Sequence, residues 1–96
     1  MTRVEVSEAA SADLDAIYDY GVEQFGAAAA EAYLRRFESA YALLAEHPQI
    51  GPVHDWVRPP IRSFPCGRHR LYYDVTDDAV IIRRVLHQAM DVQRHL

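Results

Sequence analysis

The chain has 96 residues, of which 50% are hydrophobic and 25% charged, with a formal net charge of −4. That size excludes two independent hydrophobic cores, and that charge excludes a protein that coats nucleic acid with its whole surface. No apolar run is long enough to cross a bilayer, no apolar region follows the N-terminus as in a signal peptide, and Cys66, the lone cysteine, excludes an internal disulfide. The expectation is one domain over residues 1–96 in the reducing cytoplasm, with Cys66 a small buried hydrophobe. Charge is unevenly spread: residues 1–50 hold three arginines against nine Asp and Glu, residues 51–96 seven against five, and lysine is absent. Arginine's planar fork suits carboxylates, phosphates and aromatic faces, although its exclusive use also fits a simple compositional preference.

Thr2 to Val6 alternates, with Val4 and Val6 on one face and Arg3 and Glu5 on the other, which predicts a half-buried strand. Ser7 follows as an N-cap, with Glu8 in the first turn where the helix dipole favours an acid. Ala10, Leu14, Ile17, Tyr18, Gly21 and Phe25 then recur at three- and four-residue steps, the buried face of a helix that Gly26 stops. Asp13, Asp15, Asp19 and Glu23 mostly fall off that face and are expected in solvent.

The alanine run at 27–30 opens a second helix with Ala30, Tyr33, Phe37, Ala40, Tyr41 and Leu44 as its stripe, and His47-Pro48 ends it. So short a connection predicts an antiparallel helical hairpin. Pro48, Gly51, Pro52, Pro59 and Pro60 mark residues 48–60 as a loop. Beyond it the period becomes two, and Ile61–Cys66, Arg68–Thr76 and Val80–His87 read as strands with turns at Gly67 and at Asp77-Asp78. Pro65 makes the first of these short or an edge, and the apolar residues on both faces of the last suit a central, doubly covered strand. Residues 88–96 form a docking tail, a short helix on the sheet, or a frayed end. The fold class is α+β, in the order β-α-α-β-β-β, with a helical hairpin packed on a small, mainly antiparallel sheet.

This order resembles the RelE/ParE toxin superfamily, and several segments are similar to its ParE branch. They are Val6-Ser7-Glu8-Ala9-Ala10 with Asp13-Leu14-Asp15-Ala16-Ile17, Leu44-Ala45-Glu46-His47-Pro48 with Ile50-Gly51, Ile61-Arg62, Gly67-Arg68-His69, Tyr72-Tyr73, and Arg84-Val85-Leu86-His87-Gln88 with Met90-Asp91. The resemblance runs from Val4 to Leu96. It implies the toxin of a type II toxin–antitoxin pair, silenced by a cognate antitoxin protein encoded beside it. ParE members are associated with poisoning DNA gyrase, RelE members with cutting mRNA on the ribosome.

Ribose-directed cleavage needs a base, cations for phosphorane charge and an acid for the leaving group. The RelE branch resembles a set of Lys, Arg, Glu, His and a Tyr near the C-terminus; here lysine is absent and Gln88 follows His87. Arg62, Arg68, Arg70, Arg83, Arg84 and His87 remain, on strands expected side by side, a cluster able to bind phosphate. Arg84 lies between apolar same-face neighbours, so its guanidinium is expected to pair with a carboxylate or carbonyls, or to serve a partner. His47, His54, His69 and His95 show no metal-ligand spacing, and neither a metal nor a cofactor is expected.

The expected function is therefore a cytoplasmic, non-catalytic gyrase poison with Arg62, Arg68, Arg84, His87 and Met90 toward the target, and without sequence-specific nucleic-acid binding of its own. Tyr18, Tyr33, Phe37 and Tyr41 are the expected antitoxin contacts, because two helices and a small sheet cannot hide every apolar side chain. A groove would suit an amphipathic antitoxin helix, and an open strand edge would suit strand addition. The alternatives are a ribosome-dependent endoribonuclease and a non-toxic antitoxin-binding module.

Overall fold

Ser7 holds extended backbone, with φ −67° and ψ 164°, and its hydroxyl accepts the Ala10 N–H at 3.1 Å. That cap launches α1 (Glu8–Phe25), as its position before a three-four apolar repeat requires. The structure, a computed structural model, describes residues 2–90 and 92–96; Asp91, part of one family-like segment, lies outside the described residues. Gly26 alone joins α1 to α2 (Ala27–Glu46): its N–H donates to Val22 O at 2.9 Å and its carbonyl accepts the Ala30 N–H at 3.1 Å. Its φ of 92° is open to glycine and strained for other residues. The hairpin closes tightly because small residues face each other, and a methyl added to Gly21 would stand 3.1 Å from Ala30 Cβ.

Strand β1 (Arg3–Val6) precedes the hairpin, and β2 (Val53–His54), β3 (Ile61–Cys66), β4 (His69–Val75) and β5 (Ala79–His87) follow it, before a short α3 (Val92–His95). The five strands form one sheet in the order β1-β5-β4-β3-β2. The β1–β5 pair is parallel, from Arg3↔Ala79 to Val6↔Ile82, and the others are antiparallel. The α+β class, the hairpin and the mainly antiparallel sheet are as the sequence indicated. Pro65 sits on β3 past the two residues that β2 pairs, so its missing N–H breaks no ladder.

The hairpin covers one sheet face around Phe37, Leu44, Leu71, Tyr73, Val80 and Ile82, each at most 1% exposed. On the other face Val57, Ile61, Tyr72, Leu86 and Val92 form a second cluster, which the 55–60 loop and α3 close. The tail is thus a short helix with Val92 docked on the sheet, and β5 is central and covered on both faces.

Four expectations change. β2 interrupts the expected loop, because two residues are too few to show alternation in sequence. Val6 is 40% exposed, since β1 is an outer strand and the helices reach only Val4. The α1 stripe does not stay buried: Ala10 is its one fully buried residue, and Phe25 is 69% exposed because the hairpin tip overhangs the sheet. Asp13, expected in solvent, is half-buried and engaged by β5.

Candidate functional site

Past Val6, β1 ends and α1 takes its place beside β5, and one carboxylate makes that join. Asp13 accepts Arg84 Nε at 2.8 Å and Nη2 at 2.9 Å, and also the backbone N–H of Val85 at 2.9 Å. The carboxylate therefore satisfies a strand N–H that would otherwise face no ladder partner. Arg84 Nη1 donates to the carbonyl of His95, tying α3 to the same point. The Asp13 hydrogen bond holds the Arg84 pKa above its ordinary value.

Between this join and the overhanging hairpin tip lies an open groove of about 630 Å³. Ile17, Gly21, Ala30, Tyr33, Val85 and Leu86 contribute to its walls, and Tyr20, Phe25 and Met90 lie at its margins. Tyr20, Phe25 and Met90 are 61%, 69% and 49% exposed. Large apolar side chains this open, two of them on a helix with one fully buried residue and the third just past β5, mark a surface for a partner rather than for water.

Tyr33 organises the polar end. Its hydroxyl accepts the Arg68 N–H at 3.0 Å and shares a hydrogen bond with His69 Nδ1 at 2.6 Å, whose direction is set by the imidazole tautomer. Phe37 meets the Tyr33 ring edge-on at 5.6 Å, and the Arg36 guanidinium carbon lies 5.7 Å from the ring centre. His87 packs edge-on to His69 at 5.5 Å. Gly67 makes room for this arrangement: its φ is 59°, and a methyl there would lie 2.6 Å from the Tyr33 oxygen.

Burial, and then the proximity of His87, push the His69 pKa below its ordinary value. The unfolded chain therefore binds the proton more readily. Stability is full above the unfolded value of about 6.5 and is lost as pH falls through the lower folded value. Urea midpoints are expected to drop between pH 7.5 and pH 5.5, and His69→Gln is expected to flatten that slope; equal slopes in both proteins would refute the assignment.

The expected target contacts separate. Arg68, His87 and Met90 line the groove. Arg84 lines it too but is held by Asp13 and His95, the carboxylate and carbonyl pairing open to it in the sequence. Arg62 lies at the far end of the sheet, where Nη1 donates to Gly51 O at 2.7 Å and to Gln49 O at 3.1 Å. Arg70 is also removed: its guanidinium donates to the buried Ser63 hydroxyl at 2.9 and 3.2 Å, and that hydroxyl lies 2.6 Å from His54 Nε2. Arg83 pairs with Asp74 at 2.7 Å. The side-by-side cluster of arginines is thus dispersed onto separate partners.

Of the expected antitoxin contacts, only Tyr33 lines the groove. Phe37 is 1% exposed, and its expected contact role gives way to a core role, because its stripe position faces the sheet centre. Tyr41 is half-buried against the same core, its hydroxyl has no hydrogen-bond partner among the described residues, and burial pushes its pKa up to about 12. Tyr18 is half-buried on α1 outside the groove lining. Sequence reasoning missed Tyr20, Ala29, Arg36 and His69. The alanine run before an arginine pair was the available signal for a helix too lightly furnished to fill its own side. Among the described residues no group of three or more His, Cys, Asp or Glu side chains could hold a metal, and no helix is long and apolar enough to cross a membrane.

Residues 4–92 match the family model described as "ParE toxin of type II toxin-antitoxin system, parDE". The chain is 42% identical over 96 residues to a protein named Toxin ParE1 from Mycobacterium tuberculosis (strain CDC 1551 / Oshkosh), covering 99% of this chain and 98% of that one. It is 35% identical over 96 residues to Toxin ParE1 of Caulobacter vibrioides, covering 100% and 99%. Among solved structures, the chromosomal ParDE TA system from P. aeruginosa superposes with a TM-score of 0.78 over 91% of this chain and 96% of that chain, at 22% identity, a likeness of fold.

Proposed function

This chain belongs to the ParE toxin family of type II toxin–antitoxin systems, and from that premise we propose that it is a non-catalytic poison of DNA gyrase, held silent by an antitoxin seated in the groove. The open apolar groove beside α1 carries the antitoxin half of this reading. A folded chain that leaves Tyr20, Phe25 and Met90 so exposed gains stability by mass action from a partner that covers them.

The non-catalytic half rests on the groove's chemistry. Asp13, the one carboxylate that lines it among the described residues, already accepts three hydrogen bonds, so it is not free to take a proton from a ribose hydroxyl. His69 Nδ1 is occupied by the Tyr33 hydroxyl. Gyrase as the target follows the ParE branch rather than any single side chain. Antitoxin in the groove would bury Arg68, His87 and Met90, so seating it there and hiding the expected target contacts are one event.

The test is DNA supercoiling by purified gyrase, with the toxin freed of its antitoxin and shown to be folded. The expected result is loss of supercoiling with accumulation of cleaved DNA, reversed on adding antitoxin. Unimpaired gyrase, with mRNA cut on ribosomes by the same preparation, would replace the reading with the endoribonuclease one.

A further inference from the structure

The sheet face turned away from the hairpin carries a polar row that the groove does not use. Ser63, 0% exposed, is the one buried polar side chain among the described residues. Its hydroxyl accepts Arg70 Nη2 at 2.9 Å and Nε at 3.2 Å, and lies 2.6 Å from His54 Nε2. The His54 imidazole in turn meets the Trp56 indole edge-to-face, ring centres 5.6 Å apart, and Trp56 is 54% exposed. Val57, buried in the second cluster, and a bond from Gln93 Nε2 to the Trp56 carbonyl at 3.2 Å hold this loop in place.

Arg70 is half-buried yet forms no ion pair among the described residues, whose four ion pairs involve Arg3, Arg83 and Arg84. A neutral hydroxyl aims its guanidinium without answering its charge, and Nη1 is left to donate to an incoming anion. Asp55 and Arg58, both exposed in the same loop, offset each other in charge, so Arg70 sets the sign of the row. The edge-to-face contact with His54 leaves at least one face of the indole open.

We propose that this row binds one nucleotide unit of an unpaired nucleic-acid strand, its phosphate on Arg70 and its base stacked on Trp56. Ser63 and His54 are positioning residues that hold the two contacts in line. A carboxylate side chain would answer Arg70 and leave the indole open, whereas phosphate and base arrive joined in one unit. A duplex fits less well, because its bases are already stacked on one another. Stacking accepts any base, so no sequence is read. The net charge of −4 keeps unaided binding weak, and the contact gains weight when another component holds the strand nearby. The proposal is independent of both the gyrase and the antitoxin readings.

Trp56 is the chain's single tryptophan, so its fluorescence reports on the site directly. Folded, antitoxin-free protein is titrated with single-stranded DNA of roughly eight nucleotides, and with RNA of the same sequence. The expected result is saturable quenching, alike for both strands, that weakens with salt at a slope near the −0.7 of about one phosphate contact. Trp56→Ala, at an exposed position, is expected to weaken binding of a labelled strand about tenfold, read by anisotropy. Arg70→Gln, checked for folding by its urea midpoint, is expected to weaken it about tenfold and to flatten the salt slope. Arg35→Gln makes the same charge change on exposed α2 surface and is expected to stay within about twofold of wild type. Absence of saturable quenching by either strand overturns the proposal, as does binding that Trp56→Ala leaves intact. Quenching by polyglutamate as strong as by the strands would give the row to an acidic protein instead. A tenfold preference for one sugar would overturn the assignment to phosphate and base alone.

Discussion

Gly51→Ala is expected to cost about 3 kcal/mol or more, the upper range for forcing atoms into a packed site. The methyl would overlap the Ser63 carbonyl oxygen and stand 2.7 Å from the Tyr73 hydroxyl. Neither can yield cheaply. The Ser63 carbonyl is strand backbone, and Tyr73, 0% exposed, donates to Pro48 O at 2.9 Å while accepting the Gly51 N–H at 2.9 Å. The Gly51 carbonyl also accepts from Arg62, so one methyl disturbs three of the hydrogen bonds that tie the post-helix loop to the sheet. At roughly 4–8 °C per kcal/mol for a domain of this size, Tm is expected to fall by roughly 12 °C or more. Gly26→Ala is the contrast. It meets nothing within 4 Å and pays only for its backbone, whose φ of 92° with ψ of 161° is a region essentially kept to glycine, so a loss of about 1–3 kcal/mol is expected. Thermal unfolding of the two variants side by side decides the matter, and a Gly51→Ala loss no larger than the Gly26→Ala loss would show that the loop shifts freely.

Asp13→Ala is the second large effect, expected at about 2–3 kcal/mol, below the range for a fully buried pair because its side chain is 15% exposed. It strands both the Arg84 guanidinium and the Val85 N–H. Arg84→Ala should cost less, since Asp13 keeps the Val85 N–H. The double variant should fall short of the sum of the two single losses, by a coupling of about 1 kcal/mol. Any loss of toxicity in Arg84→Ala is therefore expected to track its loss of stability. Lost toxicity with an unchanged urea midpoint would instead put Arg84 in contact with the target.

Where sequence reasoning succeeded, the signal was local. Ser7, Gly26 and His47-Pro48 each act on the backbone within a turn of themselves, so the hairpin was readable to the residue. The switch to a period of two gave β3, β4 and β5 with ends wrong by at most one residue, and the apolar character of both faces of β5 gave its central place. The site was less legible because it depends on what happens between elements. Phe25 continues the helical repeat of Ile17 and Gly21, and only the overhang of the hairpin tip exposes it. Asp13 looks like any solvated acid until α1 is seen to replace β1 beside β5. Arg62, Arg70, Arg83 and Arg84 alternate on neighbouring strands, yet distant carbonyls, a serine and two carboxylates draw them apart. Arg36 and His69 enter the groove only because Tyr33 bridges α2 to the β3–β4 turn.

The parallel pairing of β1 with β5 and the Asp13–Arg84 join, 71 residues apart in sequence, also set when this surface can exist during synthesis. A nascent chain whose last strand is still inside the ribosome has a helical hairpin but no wall opposite it, and β1 has no neighbour. The groove closes only after the most distant contacts in the sequence are made, which are the slowest to search for. An antitoxin that uses this groove would therefore capture a chain whose β5 has already paired, so concentration and association rate would decide how soon after that pairing it is silenced.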